Sequence, residues 1–337
     1  MALEIVEMDR SKASPFFISA LVVTYNRCQH VCRAIDSILR QTSPVGEVVV
    51  IDDGSTDGTA EFLRSRYGQQ IRVIEQKNGG VSNARRRAIE EATGTWVAFL
   101  DSDDEWTPER NQILTEIVSQ TSDEVAWIFG DLQIVTDKGN TTTLFQEHGL
   151  TLSQQMQIFK DPLKIHHPFQ FCMLQASLIR RDVLLELHCF AENLRHSEDV
   201  LAGYQVATRY AFAATSSVVT KLYRTSDLAK DSLTADGGLR PDYYRARMLA
   251  FSATVQSGKR QPWAELYANA VRGLCKYRAD QGLPIRRLAL QQFKHSFSSE
   301  SVLFFFLTLP GNRFLRALRQ VKRKFRNNRD ATPVSAL

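Results

Sequence analysis

The chain has 337 residues, 43% hydrophobic and 23% charged, with a formal net charge of +5. That length supplies one large domain or two smaller ones with a sizeable core, and the composition excludes wholesale disorder, collagen-like repeats and low-complexity architecture. The mean charge hides a division: residues 1–239 carry 23 basic and 32 acidic side chains, residues 240–337 carry 19 and 5. An acidic domain with a basic appendage is the expected organisation. The five cysteines contain no CxxC pair, which reads as reduced thiols in a cytoplasmic protein. Glu4, Glu7 and Asp9 and the lack of an apolar run argue against a signal peptide. The longest apolar run, Val302 to Leu309, falls far short of the roughly 20 residues of a spanning helix.

From Ile18 onward, short apolar runs alternate with helix-period segments. Strands are predicted at Ile18–Val23, Glu47–Ile51, Ile71–Ile74, Trp96–Leu100 and Val125–Phe129. Helices are predicted around Val31–Leu39, after Asp57 (read as its N-cap), over Val81–Glu91 and after Pro108. Strands separated by such helices indicate βαβ units and an α/β fold with a mostly parallel sheet. Further on, Asp137–Thr143 reads as a turn between strands, Leu178–Leu187 and Ser197–Tyr210 as helices, and 231–241 as a linker.

Polar residues gather at the predicted strand ends: Thr24-Tyr25-Asn26, Asp52-Asp53-Gly54, and Asp101-Ser102-Asp103-Asp104. Ligands of open α/β sheets bind outside strand carboxyl ends, so the three clusters point to one site. Crowded carboxylates raise one another's pKa, and a hard cation such as Mg²⁺ or Mn²⁺ offsets that cost. An acidic loop leading into the next helix is the competing reading. Strand alternation sends Asp52 and Asp53 to opposite faces, so one of them is expected to reach a ligand.

The blocks ALVVTYNR, EVVVIDDGSTDGT and KNGGVSNARRRAIEEATGTWVAFLDSDDEWTPER resemble, in order and spacing, the nucleotide-diphospho-sugar transferase domain of family 2 glycosyltransferases, the GT-A fold. The resemblance covers about residues 17–225. It implies an inverting sugar transfer from a nucleotide-sugar, UDP-sugar favoured, with Mn²⁺ or Mg²⁺. It also implies that Thr24, Tyr25 and Asn26 line the nucleotide site and Asp53 accepts from the base. Asp101 falls on the ribose side, Asp103 on the metal, and Asp104 completes the acidic loop. Arg85 occupies the place of an arginine near the nucleotide, but the usual Arg-Asn-x-Gly run reads Arg85-Arg86-Arg87-Ala88, and the extra charge serves either phosphates or a helix face.

An inverting transfer needs a carboxylate within reach of the acceptor hydroxyl. Glu198-Asp199 opens a helix-period stretch and resembles the family's Glu-Asp motif, which makes Asp199 the expected base and Glu198 its holder or an acceptor contact. Acids favoured by a helix dipole are the alternative. Trp106 is open between sugar stacking and core packing. His166-His167 reads as loop rather than metal ligands, and Arg224 is placed near the diphosphate by the resemblance, although the histidine often found beyond it is absent (Thr225-Ser226).

Between Arg313 and Arg329 lie eight basic residues interleaved with Phe314, Leu315, Leu318, Val321 and Phe325. A basic amphipathic helix of this kind reads as an anionic membrane-surface element or as a helix docked on the domain; without a recognition motif, nucleic acid is not expected. The expected protein is thus a GT-A domain over 17–230 with a helical, basic extension over 231–337. It acts on a lipid-linked or polysaccharide acceptor, as a peripheral protein of the inner membrane face. The alternatives are a non-catalytic binding member of the same fold and a sugar nucleotidyltransferase.

Overall fold

The computed structural model describes residues 17–224, except 138, 140, 164–172, 192, 193 and 196, together with 245, 246, 249 and 250. The chain divides into two compact units, Met1–Ala235 and Asp236–Leu337, and the architecture below is that of the first. The linker and basic extension expected over 231–337, the His166-His167 pair and Thr225-Ser226 lie outside the described residues, save for the four positions named above.

The first half runs β1 (Ile18–Thr24), α1 (Val31–Leu39), β2 (Glu47–Asp52), α2 (Thr59–Tyr67), β3 (Arg72–Glu75), α3 (Val81–Glu91) and β4 (Trp96–Asp101). The strands β1, β2 and β4 are buried on both faces, as expected of parallel strands flanked by helices. In α1 the stripe Val31, Ala34, Ile35 and Ile38 is buried, which fixes how the helix lies on the sheet. Asp57 acts at the start of α2 from one residue before the N-cap, Gly58; its Oδ1 accepts from the backbone N–H of Thr59 at 3.1 Å. All the elements predicted up to this point are present, with strand ends shifted by a residue.

Beyond β4 follow β5 (Glu105–Trp106), α4 (Arg110–Gln120), β6 (Val125–Thr136), β7 (Thr141–Thr143), α5 (Leu144–His148), β8 (Met156–Phe159), β9 (Ser177–Arg180), α6 (Arg181–Glu186), α7 (Glu198–Ala207) and β10 (Ala211–Arg224). The predicted helix over Leu178–Leu187 is corrected here. Its first residues form β9, paired antiparallel with β4 and with β6, and the helix starts only at Arg181, with Asp182 in its first turn. Four residues, SLIR, carry no period long enough to separate strand from helix, and the slot between β4 and β6 decides it. The predicted fifth strand continues past Phe129 to Thr136, and β7 folds back on its end across the expected turn.

The described strands form one mixed sheet in the order β3-β2-β1-β4-β9-β6-β10-β5, with β7 beside β6 and β8 beside β10. The long pairings, β1 with β2 and β4, β2 with β3, and β6 with β10, are parallel. Register places Thr24 opposite Asp52 and Val23 opposite Asp101, so three polar loops leave the sheet at one level. The strand order reverses at β1, between β2 and β4, which is where an open α/β sheet forms its crevice. Among the described residues, no helix is long and apolar enough to cross a membrane.

The β6–β10 seam holds the second half together, with Trp127 stacked on Phe212 at a centroid distance of 5.5 Å. Gly130 lies in that seam, and a Cβ added there would stand 2.7 Å from both Val219 methyls and 2.9 Å from the Ser217 carbonyl. Gly130→Ala should therefore lower unfolding stability by about 1–3 kcal/mol, the cost of overpacking a close-packed interior. Urea denaturation measures this, and an unchanged midpoint would contradict the packing.

Candidate active site

The loop after β1 is shaped by its own side chains. Asn26 adopts a left-handed conformation, φ 51°. Its N–H donates to Ser55 Oγ at 2.8 Å, and its Oδ1 accepts the Thr56 N–H at 2.8 Å. This ties the loops after β1 and β2 together and leaves Tyr25 standing out, 48% exposed. Thr24 is buried, and its Oγ1 has no hydrogen-bond partner.

Both acids after β2 are buried, so alternation does not leave one of them on an open face. Asp52 turns back on its own loop, Oδ1 accepting the Ser55 N–H at 2.7 Å, while Oδ2 has no partner. Asp53 accepts three hydrogen bonds, from Gln76 Nε2 at 2.7 Å and from the backbone N–H groups of Gly79 and Gly80 at 2.9 and 2.8 Å. Gly80 has φ 83°, a conformation glycine adopts without cost, and this aims its N–H at the carboxylate. Gly54 is likewise required, φ 81°, with the Asn78 N–H 2.8 Å from where a Cβ would stand.

The acidic loop after β4 is held from several directions. Asp101 accepts from Arg85 Nη2 at 2.7 Å and from Gln175 Nε2 at 2.5 Å. Asp103 pairs with Arg27, Nη1 to Oδ2 at 2.6 Å, and its carbonyl accepts from Arg33. The Arg33 guanidinium stacks on the Tyr223 ring at 3.9 Å. Asp104 is buried; its Oδ1 accepts the Tyr223 N–H at 3.2 Å and its Oδ2 has no partner. Burial, then the charges of Asp101 and Asp103, push the Asp104 carboxyl well above the usual range. The loop therefore keeps one buried carboxyl oxygen with no donor on it.

Arg85 is the centre of the arrangement. Its guanidinium is buried on α3, donating to Asp101 on one side and, in a very short contact, to Glu198 Oε1 on the other. Burial opposes its charge, but Asp101, Glu198 and Asp199 outweigh burial and hold it above its ordinary value. Burial pushes the Glu198 carboxyl up to about 7; Arg85 opposes the rise and Asp199 adds to it. Asp199, half-buried, accepts the Val200 N–H at 2.7 Å at the start of α7. The left-handed Ser197, φ 64°, turns the chain into that helix. Arg86 and Arg87 are exposed, and Arg87 pairs with Glu91 at 2.6 Å, so their charge lies on the outer helix face.

The structure thus joins Asp101, Arg85 and Glu198 directly, sets Asp103 and Asp104 on the same loop, and places Thr24, Tyr25, Asn26 and Asp53 on the neighbouring strand ends. Trp106 is core: its Nε1 donates to the Gln175 carbonyl at 3.1 Å, and Arg110 covers its ring at 3.9 Å. Arg224 faces Glu147 at 3.7 Å. Sequence reasoning missed Arg27, Arg33 and Gln175. Arg27 sits in the TYNR block and was legible as a cation beside a polar loop, whereas nothing in FCMLQASL singles out a glutamine.

Among the described residues, no group of three or more His, Cys, Asp or Glu is arranged to hold a metal. Mg²⁺ needs only one or two carboxylates when phosphates complete its shell. The half-buried Asp103, with the unpartnered Asp104 Oδ2 on the same loop, supplies hard-oxygen donors of that kind.

Removing Arg85 leaves a buried Glu198 uncompensated, which should cost about 3–5 kcal/mol in Arg85→Ala. Without Arg85, the Glu198 pKa rises further above its ordinary 4.5. A raised folded-state carboxyl loses stability as pH climbs from the unfolded value towards the folded one. The deficit of Arg85→Ala should therefore be larger at pH 8 than at pH 5 in denaturant titrations; a pH-independent deficit would contradict the buried pair.

The family model "Glycosyl transferase family 2" matches residues 19–187. A glycosyltransferase of Nostoc sp. is 36% identical over 142 residues, 41% of this chain and 44% of that protein. The putative teichuronic acid biosynthesis glycosyltransferase TuaG of Bacillus subtilis is 34% identical over 108 residues, 31% of this chain and 43% of that one. The succinoglycan biosynthesis protein ExoO of Rhizobium meliloti is 29% identical over 188 residues, 55% and 53%. The chain thus spans about half the length, or less, of these curated relatives. In structure, residues 1–349 of S. aureus TarS in complex with UDP superpose with a TM-score of 0.58 at 16% identity, covering 90% of this chain and 91% of that one, a likeness of fold. With half of its length matched by the family model and its sheet ordered as described, the chain belongs to glycosyl transferase family 2 and has a mixed α/β, GT-A-like fold.

Proposed function

We propose that the protein is a metal-assisted, inverting glycosyltransferase that moves a sugar from a nucleotide-sugar to a saccharide or lipid-linked hydroxyl. The observation that carries this reading is the buried Arg85, which couples Asp101 of the strand-end loop to Glu198, beside the proposed base. A UDP-sugar is the favoured donor, supported by the TarS complex with UDP-GlcNAc. A polysaccharide acceptor is supported by relatives named for teichuronic acid and succinoglycan biosynthesis.

In this reading the base of the nucleotide packs on Tyr25 and donates to the remaining acceptor position of Asp53, whose other positions are filled by Gln76, Gly79 and Gly80. Thr24 and Asn26 shape that pocket, and Asp101 faces the ribose. Asp103 would hold Mn²⁺ or Mg²⁺, with Asp104 buried behind it as the tie to Tyr223. Such a cation supplies positive charge against the diphosphate as it departs. Asp199 accepts the acceptor hydroxyl proton as its oxygen bonds to the anomeric carbon from the face opposite the leaving group, and the bond to the nucleoside diphosphate breaks. Glu198, clamped by Arg85, keeps the first turn of α7 in place while this happens.

Asp199→Asn should abolish transfer while leaving UDP affinity unchanged, and EDTA should stop UDP release from UDP-sugars. Undiminished turnover by the variant would remove the base assignment, and turnover in EDTA would remove the metal. A donor panel of UDP-, GDP- and dTDP-sugars, scored by nucleoside diphosphate release, tests the UDP preference.

The same proposal takes 17–230 as the transferase domain and 231–337 as a helical extension that holds the protein at an anionic inner membrane face. The support is its basic, apolar-striped sequence, each Lys or Arg near such a surface adding on the order of 1 kcal/mol. Deleting 301–337 should end cosedimentation with anionic liposomes at low salt; unchanged cosedimentation would contradict the membrane role.

A further inference from the structure

We infer that Arg27 is an exchangeable counter-ion of Asp103: it holds this carboxylate until a nucleoside diphosphate arrives, and the divalent cation then takes its place. The inference rests on the metal role of Asp103 proposed above and concerns how that site is loaded.

The Arg27 guanidinium lies 2.6 Å from Asp103 Oδ2, reaching from the loop after β1 to the loop after β4. Its own backbone is fixed, because the Arg27 carbonyl accepts the N–H groups of His30 and Val31 at 3.0 Å each, at the entry to α1. The exchange inferred here moves the side chain and leaves this backbone anchor in place. Both partners are partly open to solvent, 17% and 23%, unlike the buried Arg85. Arg33 plays a different part: it binds the backbone carbonyl of Asp103 and stacks on Tyr223, which holds the loop without occupying a carboxylate.

A cation entering the loop alone must displace a guanidinium from the same carboxylate or sit beside it, and like charges a few ångströms apart repel. A diphosphate removes the conflict. It offers Arg27 an alternative anion that its forked donors fit, and it offers the cation the phosphate oxygens that complete its shell. Metal and nucleotide are then coupled in binding, and the coupling is reciprocal.

The test is titration of the full-length protein with Mn²⁺, followed by the electron paramagnetic resonance of free Mn²⁺, with and without UDP and with no acceptor or turnover. Arg27→Gln should bind Mn²⁺ alone about tenfold more tightly than the wild type, a factor in the usual range of site coupling, while binding UDP more weakly. Arg27→Lys, which keeps the charge, should return Mn²⁺ affinity towards the wild-type value. Equal or weaker Mn²⁺ binding by Arg27→Gln, with an unchanged melting temperature, overturns the inference and leaves the metal site standing. If Asp103→Asn binds Mn²⁺ as the wild type does in the presence of UDP, the assignment of the metal to Asp103 fails instead.

Discussion

A guanidinium removed from water survives only where carboxylates replace its solvent, and Arg85 meets that condition by drawing on two distant parts of the chain. Asp101 ends β4, and Glu198 begins α7, nearly a hundred residues later. Charge burial costs several kcal/mol per ion, so such a pair tolerates little displacement of either partner. One interaction therefore ties α3, the end of β4 and the entry of α7 to one another. The same pair explains how Glu198 is tolerated in a buried place at the start of a helix, where the dipole alone contributes only about 0.3–1 kcal/mol.

The acidic loop follows a different logic. It is anchored by Arg27, Arg33, Arg85, Gln175 and Tyr223, yet Asp104 keeps an oxygen without a partner and a carboxyl pushed upward. The contrast between a satisfied Asp53 and an unsatisfied Asp104 separates the two jobs of the site. Asp53, with three donors on it, is preorganised for a neutral hydrogen-bonding ligand. The 101–104 loop offers hard carboxylate oxygens, the donors that hold a cation together with its phosphates.

The first half of the fold was legible because β1, β2 and β4 are buried on both faces and so appear as apolar runs between polar turns. The second half was not. β9 is four residues long, and β10, AFAATSSVVTKLYR, is small and polar enough to pass for loop until it lies on β6. The acids of the site could be read as carboxylates at strand ends and at a helix start, and all of them sit there. Their partners were harder. ARRRA offers three adjacent arginines; the resemblance pointed to Arg85, and its burial beside Asp101 and Glu198, with Arg86 and Arg87 exposed, shows what it binds. Trp106 was undecided between a sugar and the core until Gln175 and Arg110 were seen to enclose it.

All of this depends on one claim, that loops from three strand ends and the start of α7 form a single site. A crystal structure of the protein with UDP and Mn²⁺ tests it most directly. Uracil is expected beside Tyr25 and Asp53, the metal at Asp103 with the diphosphate, and Asp199 facing the terminal phosphate side with Arg85 still bridging Asp101 and Glu198. Nucleotide bound away from these loops, or a metal held without Asp103, would contradict it.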